Sequence, residues 1–298
     1  MNKQLTISVI VTNWNGNKLI KKSLPIIINN SPEAIEIIIA DDASSDKSLQ
    51  TIKVLQKTYP QLKLISHVHN QGFTRNSNFA IKKAKGDLVV LLNSDIYPHP
   101  NYLKHITKHF QDPKVFGVGF SEYGRENWAR IFWKEGYLQH EPGIDTTKLH
   151  ISAWISGGSS IVRKSEFIRL GGFDNIYAPF YSEDLDLGYR AWKSGYTLLW
   201  DPQAIVDHKH EATISKFPRR FVEYVKERNR LLTVWRNITD KELLNKNRLA
   251  IILRVIFGPN YIKIIRAAKR QCNQNPPPIV FPVRTDRQIL DLFSNHEK

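Results

Sequence analysis

A single cysteine, Cys272, stands among 298 residues. No disulfide can close within such a chain, and no zinc site built on cysteines can form. A cytosolic setting is the expectation. No apolar run approaches the ~20 residues needed to span a bilayer. The opening residues Met-Asn-Lys-Gln-Leu pass straight into a strand-like segment, without the charged-then-apolar order of a secretory leader. Acidic residues are the scarcer sign: 28 Asp and Glu face 43 Lys and Arg, a net charge of +15. The excess is local, for residues 214–270 hold 15 Lys and Arg against 4 Asp and Glu. Such a block suits lipid headgroups, a phosphorylated ligand or nucleic acid, and equally a solvated basic face. The 41% hydrophobic content is that of a globular protein with a sizeable core.

The first hundred residues alternate strand and helix signals. Leu5–Thr12, Ile35–Ala40, Leu62–Val68 and Leu88–Leu92 are β-branched or apolar runs of strand length. Between them, Asn17–Asn30, Asp46–Thr58 and Arg75–Lys85 have helical spacing. Pro25 is expected to break or kink the first helix. Leu49, Ile52, Val54 and Leu55 are the expected buried set of the second. Strands this apolar, joined by helices, predict an α/β fold with a mostly parallel sheet covered on both faces. In such sheets ligands collect at the carboxyl ends of the strands.

Those ends are polar. Asn13-Trp14-Asn15-Gly16 follows the first strand, Asp41-Asp42-Ala43-Ser44-Ser45-Asp46 the second, His69-Asn70-Gln71-Gly72 the third and Asn93-Ser94-Asp95 the fourth. Turn and cap chemistry accounts for any one cluster. Ser44, Ser45 or Asp46 can cap the next helix, whereas Asp41 at the strand tip is better placed to reach a ligand. Four clusters in register along one sheet edge are poorly explained by caps. Asp95 could hold a divalent ion, Mg²⁺ or Mn²⁺, that bridges a diphosphate, with His208 as a further ligand. A helix from about Asn101 would make Asp95 an N-cap instead. His208 and His210 flank Lys209 after a strand-like Ile205-Val206.

Between Phe116 and Asp145 the periodicity weakens. Trp128, Phe132, Trp133, Tyr137 and His140 could pack in the core or lie over a ligand. From Trp154 the signals sharpen. Ser156-Gly157-Gly158 permits close backbone approach. Lys164–Leu170 reads as a short helix stopped by Gly171-Gly172-Phe173-Asp174. Glu183, Asp184 and Asp186 open another. Acidic residues there commonly serve the helix dipole. They could also take a proton from a hydroxyl, since crowding of like charges raises a carboxyl pKa. Spacing does not separate Asp184 from Glu183 in that role.

Together these motifs resemble the family 2 glycosyltransferases of GT-A fold, in the rhamnosyltransferase-type branch of bacterial surface polysaccharide synthesis. The resemblance runs over about residues 5–215. It implies an inverting enzyme that moves a sugar from a nucleoside-diphosphate-sugar, dTDP- or UDP-linked, to a saccharide or lipid-linked acceptor. Asp41 would contact the nucleoside, in a site shared with Thr12, Asn13, Asn15, Asn70, Gly72, Asn78, Asn93 and Ser94. Asn93-Ser94-Asp95 stands where the metal-binding Asp-x-Asp stands, its first carboxylate replaced by Asn. Asp95 and His208 would hold the cation. Trp154, Gly157, Gly158 and Asp174 fall on the acceptor side. Asp184, in Ser182-Glu183-Asp184, would be the catalytic base, with Glu183 beside it.

The remainder reads as an extension. Phe217–Asn237, Asn247–Phe257 and Tyr261–Arg270 have basic or amphipathic helical patterns. Residues 216–270 could lie on a membrane or pack on the catalytic domain of residues 1–215, which divides into a nucleotide half (1–100) and an acceptor half (116–215). Pro276-Pro277-Pro278 marks a linker, and residues 271–298 are expected to be a linker and mobile tail. Two alternatives compete. A nucleotidyltransferase needs a Gly-rich basic loop after the first strand, which Asn13-Trp14-Asn15-Gly16-Asn17 does not offer. A non-catalytic membrane or nucleic-acid binder has no use for acidic strand ends, so no nucleic acid is expected.

Overall fold

The computed structural model describes residues 4–122, 128–209 and 217–294. The first half follows the alternation of its sequence. Strands β1 (Ile7–Asn13), β2 (Ala34–Asp41), β3 (Leu62–Ser66) and β4 (Leu88–Asn93) alternate with helices α1 (Asn17–Asn30), α2 (Ser48–Thr58) and α3 (Phe73–Lys83). The strands pair in parallel in the order β3-β2-β1-β4. Period-two alternation sends Val9 and Val11 to one face, packed with Ile20, Leu24 and Ile52 of α1 and α2. Ile10 goes to the other, packed with Ala80 and Ile81 of α3. Both faces are therefore covered, which is why the strands carry so few polar residues.

Two local expectations fail here. Helix α1 runs unbroken through Pro25. In α2 only Ile52 of the expected apolar set is fully buried, and Val54 is exposed, because α2 covers the sheet near its edge.

The second half completes a mixed sheet. Strands β5 (Ile96–Pro98), β6 (Val115–Glu122), β9 (His150–Ile151), β10 (Ser159–Arg163) and β11 (Thr197–His208) extend it to β4-β10-β6-β11-β5, with β9 also on β11. Strand β10 is antiparallel to β4 and β6, whereas β11 runs parallel to β6. The tips of β4, β6 and β11 thus share one edge with the start of β10. No helix begins at Asn101: residues 99–106 are turns, followed by a 3-10 turn at Thr107–Gln111. The region of weak periodicity is a separate hairpin of β7 (Ala129–Lys134) and β8 (Tyr137–Pro142). Helices α4 (Lys164–Arg169) and α5 (Glu183–Lys193) lie between β10 and β11.

The C-terminal part holds α6 (Arg219–Asn237), α7 (Lys241–Phe257), α8 (Tyr261–Gln274) and α9 (Asp286–Ser294). It is not an appendage. Val234, Ile238, Leu243, Ile289 and Phe293 belong to the same apolar core as Ile10 and Ile38. The expected tail is corrected most sharply. Ile289 and Phe293, one helical turn apart, are buried, and Phe293 sets its ring edge against Trp192 at 5.5 Å. Asp286 is buried too, accepting from Tyr189 Oη (2.8 Å) and from the Thr239 and Asp240 amides (both 2.7 Å), and pairing with Lys193 (3.0 Å). Among the described residues no helix is long and apolar enough to cross a membrane.

Candidate active site

The loops after β1, β2 and β3 lock together through the clustered polar residues. Asn15, in the left-handed region (φ 52°), accepts from the Ser45 amide at 2.8 Å. Asn13 donates to Asp41 Oδ2 at 2.8 Å. Asp41 is fully buried and also accepts from the Ser44 amide (2.9 Å) and hydroxyl (2.7 Å). This corrects the expectation that Asp41 projects from its strand tip: its carboxylate faces inward and shapes the loop. Asp42 does the same for the next loop, accepting from the Gln71 (2.7 Å) and Gly72 (2.8 Å) amides. Gly72 sits at φ 80°, a conformation that favours glycine. Asn70 supports it, accepting from the Gly72 amide and donating to the Asp42 carbonyl. Asp46 caps, accepting from Ser48 and Asn17 amides at 2.9 Å and so tying the starts of α1 and α2. Asn13 Oδ1 is buried without a hydrogen-bond partner among the described residues.

Thr12 lies opposite Asn93 in the β1–β4 ladder and donates to its Oδ1 at 3.0 Å. The Asn93 amide donates to the Gly158 carbonyl at 2.9 Å, and a Cβ on Gly158 would lie 2.3 Å from the Asn93 side chain. Glycine is therefore required where β10 crosses the tip of β4. Ser94 stands beside Gly16, at 3.2 Å from where a Cβ there would lie. Asp95 Oδ1 lies 3.3 Å from His208 Nε2, since β5 pairs with the end of β11. Glu122, at the tip of β6, binds His208 Nδ1 at 2.8 Å and accepts from Ser159. Burial disfavours the charged imidazole, yet its bonds to Asp95 and Glu122 outweigh that and lift the His208 pKa to about 9.

The residues fit a cation. An imidazole nitrogen and a carboxylate converge at one sheet edge, and the other ring nitrogen is anchored by Glu122, as metal-binding histidines commonly are. No group of three His, Cys, Asp or Glu forms a metal cluster among the described residues. An ion held by two side chains would take its other ligands from water and phosphate. His210 lies outside the described residues. Glu122 escaped the sequence reading. Its one signal is a carboxylate at the end of the apolar run Val115–Phe120, where burial demands a partner.

The acceptor-side motifs divide. Gly157 packs between Phe73 and Phe173, and Trp154 lies against Gly188 of α5 with its ring edge to His140. The segment 153–158 thus runs from α5 to the tip of β4. Asp174, and Asn78 expected at the nucleoside, make contacts within the fold instead. Asn78 donates to the Phe173 carbonyl (2.7 Å) and accepts from its amide (3.0 Å). Asp174 accepts from the Ile176 amide at 3.0 Å and pairs with Arg236 of α6. Of Trp128, Phe132, Trp133, Tyr137 and His140, Trp128 and Tyr137 are buried, Trp128 stacking on His150 at 4.3 Å.

Glu183 and Asp184 open α5 after two residues with positive φ, Tyr181 (70°) and Ser182 (77°). Non-glycine residues hold such angles only where their surroundings impose them. The surroundings are α6. The Asn229 amide, fully buried, donates to the carbonyls of Tyr177 (2.9 Å), Phe180 (2.9 Å) and Tyr181 (2.8 Å), and Arg228 donates to that of Ala178 at 2.6 Å. Burial raises the Glu183 pKa to about 8, helped by the charges of Asp184 and Asp186. Burial raises Asp184 to about 6 against the Leu185 amide, which donates to it at 2.8 Å. Glu183 Oε2 has no hydrogen-bond partner among the described residues. Asp186 is no candidate base: it is buried, paired with Arg190 (2.6 Å) and bonded to Tyr177 and Asn237. Replacing Asn229 by Ala is expected to cost about 1–3 kcal/mol of stability and to lower kcat more than it raises KM. Denaturant titration and steady-state kinetics read the two effects.

Comparison with known proteins agrees with this fold. The fold is that of GT-A glycosyltransferases: over 98% of this chain and 85% of theirs, it superposes on a Pyrobaculum calidifontis mannosyltransferase solved with GDP-Man and Mn²⁺ (TM-score 0.59, 17% identity). GalNAc-T7, solved with UDP, GalNAc and Mn²⁺, gives a TM-score of 0.61 at 16% identity over 84% of this chain and 55% of that one. The profile of glycosyl transferase family 2 matches residues 8–171, and the chain belongs to that family. It is a glycosyltransferase. Similar curated proteins include a Methanococcus voltae dolichyl N-acetyl-α-D-glucosaminyl phosphate 3-β-D-2,3-diacetamido-2,3-dideoxy-β-D-glucuronosyltransferase, 26% identical over 73% of this chain and 71% of its own. A Mycobacterium tuberculosis N-acetylglucosaminyl-diphospho-decaprenol L-rhamnosyltransferase is 22% identical over 70% and 77%. The family match sets aside the nucleotidyltransferase and non-catalytic alternatives.

Proposed function

We propose that the enzyme transfers a sugar with inversion from a dTDP- or UDP-linked donor to a hydroxyl of a saccharide or lipid-linked acceptor, with Asp184 as general base. The observation that carries this is the Glu183–Asp184 pair. Two neighbouring carboxyl groups open one helix, and burial raises both in pKa. Like charges this close resist ionising together, so the pair can hold one proton beside an ionised, basic partner. The acceptor oxygen attacks the anomeric carbon as its proton passes to the Asp184 carboxylate. The new carbon–oxygen bond forms as the bond to the nucleoside diphosphate breaks. The locked loops after β1, β2 and β3, with Thr12, Asn13, Asn15, Asp41, Asn70 and Gly72, form the nucleoside side of the cleft. Asn93 and Ser94 stand at the diphosphate, and Trp154, Gly157 and Gly158 on the acceptor side. Asp95 and His208 would hold the cation, which when bound neutralises charge on the departing diphosphate. A lipid-linked acceptor accords with the names of the two curated relatives.

The test is a turnover screen of UDP-, dTDP- and GDP-sugars with Mn²⁺ or Mg²⁺ present; turnover with none would remove the donor class. The pH dependence is a second check. A base must be deprotonated to act, so a raised pKa moves the loss of activity upward in pH. With the active donor, kcat/KM is expected to fall as pH drops through about 6, rather than near 4 as for an ordinary aspartate. A profile flat down to pH ~4.5 would contradict the assignment.

A further inference from the structure

Helix α7 is apolar on two faces. Leu243 and Asn247 point inward and are buried. Leu249, Ile252, Leu253, Ile256 and Phe257 point outward, from 45% to 86% exposed. Their spacing is that of one helical stripe, so they form a continuous apolar surface over two turns. A stripe of large aliphatic residues left in water normally marks an interaction site. The neighbouring α8 shows solvent the opposite character. Lys263, Arg266, Lys269 and Arg270 recur at helical spacing and are exposed, and α8 contains no Asp or Glu. The two helices pack together and meet at Gly258–Asn260, where Phe257 and Ile262 are both exposed.

We infer that α7 and α8 dock this enzyme on an anionic lipid bilayer, the α7 stripe entering the interface and the α8 cations meeting phosphate headgroups. An apolar stripe beside an uncompensated basic stripe is the pattern of helices that lie in the membrane plane. No described helix can cross the bilayer, so the contact is one-sided. Charge decides between occupants. A second copy would bring another uncompensated basic face up to this one, whereas an anionic leaflet strengthens binding about fivefold per nearby Lys or Arg. The inference does not depend on which sugar is transferred, because lipid binding is measured without turnover.

The test is cosedimentation of the full chain with phosphatidylcholine vesicles, with and without phosphatidylglycerol. The expected result is binding to the mixed vesicles, at least about tenfold weaker to the neutral ones and likewise weakened by high salt. Ile256→Asp with Phe257→Asp should lower binding at least about tenfold. So should Arg266→Glu with Lys269→Glu, which leaves the apolar stripe intact. All four side chains are exposed, so melting temperatures should hold, and the two pairs check each other. Failure to bind any vesicle would overturn the inference, as would binding by either variant equal to that of the unaltered protein. A concentration-dependent dimer abolished by the Ile256→Asp pair would give the face to a second copy instead.

Discussion

Asp184→Asn is expected to lower kcat by about 10³-fold while the nucleotide-sugar still binds. The substitution keeps the shape at the start of α5 and the acceptor for the Leu185 amide, and removes only the capacity to take a proton. Donor affinity measured by calorimetry should change less than threefold, because the base meets the acceptor and not the nucleotide. Glu183→Gln should be far milder, since it leaves the Asp184 carboxylate in place and removes only the neighbouring acidic group. The contrast matters more than either value. Full activity in Asp184→Asn with a dead Glu183→Gln would reverse the assignment. The two residues titrate as a pair, so each variant should also shift the pH profile left by the other.

Stripping divalent ions with EDTA is expected to lower turnover by about 10³-fold, restored by added Mn²⁺. Without the ion, two sugar-diphosphate charges would face Asp95 directly. Asp95→Ala and His208→Ala should each raise the Mn²⁺ concentration needed for half-maximal activity, and should weaken Mn²⁺ binding measured by electron paramagnetic resonance. Glu122→Gln is expected to weaken that binding by about 10- to 100-fold, although it would touch no ion, because it fixes the His208 ring through Nδ1. Turnover indifferent to EDTA would remove the cation from the mechanism.

The parallel half of the sheet was legible because its signals are local. Each strand is a short apolar run, each helix has its own periodicity, and the polar clusters fall at strand ends. What escaped depends on distant partners. The cluster around His208 joins Asp95, just before β5, with the ends of β6 and β11, which meet only after the sheet has formed. No local motif marks Glu122 or Asn229 in the sequence. Both are buried, and each meaning lies in a partner far along the chain: His208 for Glu122, the carbonyls of 177–181 for Asn229. Asp41 misled for a related reason. A carboxylate at a strand tip can face outward or fold back onto its own loop, and the Asn13 and Ser44 donors that decide the matter show that pairing only once the loops have closed. The α7 stripe shows the converse. Its apolar residues were evident, but sequence could not tell which of its two faces the core would leave uncovered.

The last helix has a consequence for how the molecule is made. Ile289 and Phe293 fill the same core as β1 and β2, and Asp286 neutralises Lys193 at the end of the helix that carries Asp184. A nascent chain emerging from the ribosome therefore cannot seal its interior until residues near 293 have been synthesised. Until then Trp192 lacks its aromatic neighbour and Lys193 its counter-ion. Folding should finish as one late closure, not domain by domain, and an early stop codon in this stretch would yield an open, protease-sensitive product lacking a settled active site.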